Sequence, residues 1–546
     1  MAAALKPVTE RWVWWGALVL AMGFWVWRAL AAPLPFYAFQ SDPELRYYYN
    51  SLLLAHGQRV EHTDHPGTAL QCTGAVLARG LGLKLEDAFE PAALRRFLLG
   101  WRILAIASLT GTGIWLARRL KGRGAPYDTL RASSQSSGWA VALLGLLLAF
   151  DYQTLVYWLT FTPESAFLVL YLPVALFCVL RGGQTGPCSW RQGLLLAALL
   201  GFITTIKLTL WPVTLFVLGL LAFASSPLAS PQGWKRFAGF TVIALFTYAV
   251  AASVLAEHPG ASWRWVLALI EHNGRYGGRY GAAASEAGLF PPWSVGFEAL
   301  QRAFALQAYT TLPVLGGALL WALWPWRAPS SPIPPPCSLP PAPCPNADRS
   351  PARTAGLGFV AALVLLFVMF LKHPYQGKYL LPASLLIVLF AAVQVESGRL
   401  PPLRWLRQLC LILGLIVFNA VLSQQLLYDY TIPRAERICA RIDAWLARTP
   451  HDALIFSSRL PHPIPAFRES APPQLLPLFA RRFGRMEPTG TFSLDFQRVA
   501  AAQLPVLPGA RSPIAFLNTP TTDPRWRLVE AVPGDEFYVY FPVPDR

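Results

Sequence analysis

The chain has 546 residues, 54% of them hydrophobic and only 14% charged, with a formal net charge of +17. Soluble domains average about 25% charged residues, so this balance excludes an ordinary soluble enzyme of several domains. The positive charge lies mostly in short loops between apolar runs, and no nucleic-acid-binding signature accompanies it, so nucleic acid is not an expected partner.

Apolar segments recur at 12–31, 97–117, 138–157, 164–181, 192–206, 208–224, 237–256, 306–325, 356–372, 379–395 and 408–426. A run of roughly 18 or more such residues can cross a bilayer as one helix. The pattern therefore predicts about eleven spans. Ala29-Leu30-Ala31 resembles a signal-peptidase site, but the run before it is long enough to be retained as the first span. Segments 192–206 and 208–224 are either one long bent helix or two short ones meeting near Lys207.

Orientation follows from Lys and Arg in the short loops. Lys6 and Arg11 precede the first span, and Arg118, Arg119, Lys121, Arg123 and Arg131 follow the second. Arg181 and Arg191, then Lys235 and Arg236, then Arg327, Arg349 and Arg353, then Arg399, Arg404 and Arg407 follow alternate spans. All fall on one side if the segments at 192–206 and 208–224 cross separately. The expectation is a plasma (inner) membrane protein with a cytoplasmic N-terminus and membrane lipids as its surroundings.

The other side receives a long first loop at 33–96, the junction Thr162-Pro163-Glu164, a second long loop at 257–305, and the turn from Lys372 to Lys378. Residues 328–348, rich in Pro and Ser, read as a disordered cytoplasmic linker. After residue 426 the pattern changes. Asp452–Ser458 and Phe537–Val543 read as strands and Glu436–Arg448 as a helix. The expected fold class is an α-helical polytopic membrane protein over 1–426 with a small, non-cytoplasmic, soluble α/β domain over 427–546.

The polar residues of the outer side carry the chemistry. In the first loop Asp42 precedes Pro43 and Glu44, a sequence that can cap a helix and also hold a carboxylate rigidly at the membrane face. Leu45, Tyr48, Tyr49, Leu52 and Leu53 fall at helical spacing and predict an amphipathic helix on the membrane surface, ended by Gly57. Glu61, His62, Asp64 and His65 lie within five residues, a set that leaves a divalent metal open. No cofactor is otherwise expected, and Asp64-His65-Pro66-Gly67 reads as a substrate contact. Glu164 opens an apolar helix, and Lys207 interrupts an apolar stretch, where an ionisable residue points to function by default. The second loop offers His272, Arg275 and Tyr276 among glycines, residue types suited to a lid over an anionic or sugar ligand. The turn that holds Lys372-His373 and Lys378-Tyr379 places cations where a phosphate head group would lie.

Taken together, the arrangement resembles the GT-C glycosyltransferases, nearest in layout to the protein O-mannosyltransferase and aminoarabinose transferase branch. The matching positions are Asp42 with Glu44, His65-Pro66, Thr162-Pro163-Glu164, Gly201 to Lys207, and Lys378-Tyr379-Leu380-Leu381-Pro382. The resemblance covers about residues 12–426. The chain departs from that branch in placing Pro43 between the two carboxylates and Lys378 where an Arg is expected. The resemblance implies a polyprenyl-phosphate-linked sugar as donor and a lipid, glycan or protein hydroxyl as acceptor. It implies Asp42 as general base, with Glu44 beside it, and inversion at the sugar carbon. Lys207, Arg275, Lys372, His373 and Lys378 would then stabilise the departing phosphate. A flippase of lipid-linked sugars and an inactive scaffold of the same fold are the competing readings.

Overall fold

The computed structural model describes residues 44–60, 67–121, 160–182, 188–223, 230–256, 351–372, 381–396, 432–448, 455–457, 471–483, 514–517 and 526–543, with a few isolated positions between. The expected spans at 12–31, 138–157, 306–325 and 408–426 lie outside these residues, apart from isolated helical positions such as Gly23 and Val421. So do the loop at 271–305 and the linker at 328–348.

The described chain is mostly helical. Helix α1 (Glu44–Ala55) and helix α2 (Thr68–Gly80) belong to the first loop. Helix α3 is Pro91–Lys121. Helix α4 starts at Pro163–Ala166, passes through a π turn at Phe167–Tyr171 and continues as Leu172–Gly182. Helix α5 is Trp190–Thr204, and a short 3-10 turn, Leu208–Leu210, leads into α6, Trp211–Phe223. Helices α7 (Pro231–Val254), α8 (Pro351–Lys372) and α9 (Leu381–Glu396) complete the apolar set. Among the described residues, three segments are long and apolar enough to cross a membrane: Pro91–Trp115, Pro163–Leu180 and Pro231–Val254. Trp190–Thr204, Leu208–Phe223, Ala355–Met369 and Leu381–Phe390 are apolar but shorter.

Helix α1 departs from the expected surface helix. Ten of its residues are buried, Glu44 and Asn50 among them. The reason is that α1 is covered on every side: Tyr48 packs on Phe97 of α3, Tyr49 packs on Phe89, and Ser51 meets Gly74 of α2. Its end is as expected. Gly57 takes φ 75, and the amides of Gly57 and Gln58 bond back to the carbonyls of Leu54 and Leu53, which closes the last turn.

The π turn in α4 has a local cause. Pro173 has no N–H, so the Val169 carbonyl loses its usual helical partner. The Ser108 hydroxyl of α3 donates to that carbonyl at 2.6 Å and satisfies it.

The stretch 192–224 forms two helices. Trp190 and Gly239 approach each other at one end of the α5–α7 pair, and Gly201 meets Ala244 further along, so these helices run parallel. Trp211 packs on Tyr248 and Phe223 on Trp234, so α6 runs antiparallel to α7. Helices α5 and α6 are therefore an antiparallel hairpin reversing through Thr205–Lys207. Small residues allow this closeness, since Gly193 and Gly201 lie directly against α7.

Helices α3 and α4 run in parallel, with Trp101 beside Ser165 at one end and Trp115 beside Phe177 towards the other. Phe359 of α8 stacks on Phe390 of α9.

The C-terminal region contains helix α10 (Ile432–Arg448) and a four-stranded sheet. Its strands are β1 (Ile455–Ser457), β2 (Ile514–Leu517), β3 (Trp526–Val532) and β4 (Phe537–Pro542), in the order β1-β2-β4-β3. Strands β1 and β2 are parallel, and the other pairs are antiparallel. Ile438, Ile442 and Leu446 of α10 pack on Ile514, Phe516, Phe537 and Val539 in a core separate from the main one. Helix α11 (Leu476–Phe483) instead joins the main core, where Phe479 meets Phe89 edge to face.

Candidate functional site

The site grows from the first turn of α1. Glu44 is 1% exposed, and its Oε1 accepts the backbone N–H of Phe161, 117 residues away in sequence. Phe161 is held by ring contacts to Phe97 and Trp101 of α3. The Trp101 indole N–H reaches the Thr160 carbonyl and the Ser165 hydroxyl, both at 3.2 Å. The bend at Thr160–Thr162 is thus fixed from two sides before Pro163 starts the helix.

Burial pushes the Glu44 carboxyl up to about 8, against the smaller opposing effects of the Phe161 amide and the Arg102 guanidinium. Its proton then belongs on the carboxyl at neutral pH. Glu44 is better suited to position a hydroxyl or donate a hydrogen bond than to accept a proton.

The second element is the ion pair between Glu164 and Lys207. The Lys207 ammonium donates to Glu164 Oε1 at 2.6 Å, and both side chains are 3% exposed. Lys207 is in extended backbone (φ −161, ψ 139) between the end of α5 and the 3-10 turn. A break there is needed for the hairpin to reverse, and it aims the side chain across to α4. Beneath the pair a hydroxyl chain ties three helices together. The Tyr171 and Thr214 hydroxyls are 2.8 Å apart and those of Thr214 and Thr204 are 2.7 Å apart, while Thr204 donates to the Leu200 carbonyl at 2.6 Å. Every hydroxyl in this chain is satisfied, which burial in an apolar bundle requires.

The third element is the start of α2. Gly67 adopts φ 58, and a Cβ there would clash with the Tyr47 ring. The Ala69 amide donates to the Thr205 hydroxyl at 3.1 Å, linking α2 to the α5–α6 reversal. Helices α1, α2 and α4 all begin in this region, so their positive ends add to Lys207 in offsetting the Glu164 carboxylate, while Arg102 acts on the Glu44 carboxyl.

Of the expected site residues, Glu44, Glu164 and Lys207 come together here. Lys372 closes α8, with only its backbone described. Asp42, Asp64, His65, His272, Arg275, Tyr276, His373, Lys378 and Tyr379 lie outside the described residues, as does the Glu61–His65 set. Two neighbours were not anticipated. Arg102, 3% exposed, sits inside an apolar run, a position that itself signals function in a membrane helix. Gln71, 1% exposed, sits three residues after Thr68 in an otherwise apolar turn.

Comparison with protein-family models, with curated proteins and with solved structures finds no match to this chain.

Proposed function

We propose that the chain is a membrane glycosyltransferase that moves a sugar from a polyprenyl-phosphate donor to an acceptor hydroxyl on the non-cytoplasmic side of a plasma membrane. The full transmembrane region has about eleven spans on this reading. One observation carries the proposal. Glu44, bonded to the Phe161 amide, and the Glu164–Lys207 pair that begins three residues further on come from three distant stretches on the expected outer side and lie at one end of the helix bundle. The Lys/Arg-bearing starts and ends of α4, α5 and α7 gather at the opposite end.

In this mechanism Asp42, two residues before Glu44, takes the proton from the acceptor hydroxyl. The acceptor oxygen bonds to the anomeric carbon from the face opposite the phosphate. The carbon–oxygen bond to phosphate breaks, and polyprenyl phosphate leaves with the electron pair. The configuration at carbon inverts. Glu44, neutral at pH 7, orients the hydroxyl. Arg102, Lys207 and the helix N-termini supply positive potential for the departing phosphate, joined by Arg275, Lys372, His373 and Lys378 from the outer loops. Asp64, His65, Tyr276, His272 and Tyr379 would contact the sugars.

The test compares envelope glycans and lipid-linked sugar pools of cells with the wild-type protein, without it, and with Asp42→Asn. Loss of the protein and Asp42→Asn are expected to remove the same glycan and to raise the same lipid-linked sugar. Unchanged glycans and pools in both would sink the transferase assignment.

A further inference from the structure

Gln71 carries a primary amide that is buried at the start of α2. Its Oε1 and Nε2 find no hydrogen-bond partner among the described residues, although the residue is only 1% exposed. Leaving an amide buried in this way leaves the cost of stripping water from each group uncompensated. A helix position facing the core would ordinarily be filled by Leu or Ala at lower cost. Glu44 Oε2 is likewise buried and without a partner among the described residues.

These two groups belong to one neighbourhood. Gln71 lies one turn into α2, and a Cβ on Gly67 would stand 3.2 Å from its Nε2 while striking the Tyr47 ring. Tyr47 follows Glu44 by three residues, so it lies on the same face of α1. The absence of a side chain at Gly67 is what brings the Gln71 amide, the Tyr47 ring and the first turn of α1 together. An amide offers one acceptor and one donor side by side, which a hydroxyl group satisfies by donating to the first and accepting from the second. An aromatic ring beside it suits the apolar face of a sugar ring.

We propose that Gln71, beside Tyr47 and Glu44, is a binding residue for a hydroxyl-rich ligand of the monosaccharide class. Placing this ligand on the transfer pathway rests on the glycosyltransferase reading; its binding does not.

The experiment uses the full chain purified in a zwitterionic detergent that has no sugar head group. Its melting temperature is followed against D-mannose and D-xylose, with trimethylamine N-oxide as a control that stabilises by exclusion and carries no hydroxyl. Wild type is expected to show a saturable rise with at least one sugar. Gln71→Leu is expected to raise the half-saturation concentration at least tenfold, with the trimethylamine N-oxide response unchanged. Gln71→Asn keeps the amide but shortens its reach, and is expected to weaken the sugar response in the same direction should the leucine variant not fold. No saturable response in wild type, or the same half-saturation in wild type and in the folded variant, overturns the assignment. Gln71-dependent sugar binding alongside unchanged envelope glycans would instead remove the transferase reading and leave this site standing.

Discussion

Burial keeps the Glu44 carboxyl protonated up to about pH 8, and this has a measurable sign. In the unfolded chain the same group titrates near its ordinary value of 4.5. Its contribution to stability is therefore complete below about pH 4.5 and is lost as pH rises through about 8, with a slope of about 1.4 kcal/mol per pH unit in between. Glu44→Gln is expected to flatten the fall in thermal stability across that window and to melt above wild type at about pH 9. An unchanged pH profile would show that the carboxyl is not held neutral. Glu164 and Lys207 make a different case, because the two side chains are buried together as a 2.6 Å ion pair. Lys207→Met alone is expected to cost roughly 3–5 kcal/mol, since it takes the ammonium away from a buried carboxylate. The exchange Glu164→Lys with Lys207→Glu is expected to recover a good part of that loss in a melting experiment. Failure of the exchange to recover anything would mean that Lys207 serves chiefly its other neighbours.

At the scale of elements, the reversal between α5 and α6 places Lys207 under the site. The sequence leaves this segment open, because an apolar run of 192–224 with a single lysine is compatible with one bent helix or two short ones. The decision comes from contacts made with α7, with Gly201 against Ala244 on one side and Trp211 against Tyr248 on the other. A Cβ on Gly201 would overlap the Ala244 carbonyl, and helix backbones cannot yield as a side-chain tip can. Gly201→Ala is expected to lower stability by about 1–3 kcal/mol, whereas Gly111→Ala, where nothing lies within 4 Å, is expected to change little. Equal melting temperatures for the two variants would argue against the close α5–α7 packing. Helix α1 teaches the converse point. Its apolar spacing reads as one greasy face, yet Glu44, Asn50 and Ser51 are buried as well. Periodicity within one helix cannot report cover supplied by α2, by α3 and by Phe161.

At the scale of the whole molecule, the alternation of helix direction makes a prediction about sidedness. Gln58 is exposed near the end that carries Glu44 and Glu164, and Gln232 is exposed at the start of α7, beside Lys235 and Arg236. On a background with the native cysteines replaced by serine, Gln58→Cys is expected to react with an impermeant maleimide in intact cells. Gln232→Cys is expected to react only after permeabilisation. Labelling of both from the same side would refute the proposed topology.

Composition alone makes this a mostly helical chain with helices apolar enough to span a membrane, because apolar length is a local property that needs no fold to be read. The strands at Ile455–Ser457 and Phe537–Pro542 and the helix at Ile432–Arg448 are legible for the same reason. Glu44, Glu164 and Lys207 are also visible as individual residues, since each is polar beside or within an apolar run. Their meeting is decided only by tertiary structure. The Phe161 amide on Glu44, the Glu164–Lys207 pair and the Thr205 hydroxyl on Ala69 join stretches 43 to 136 residues apart. Nothing in local sequence encodes that distance; it arises when buried polar groups must find partners and the packed helices leave them few.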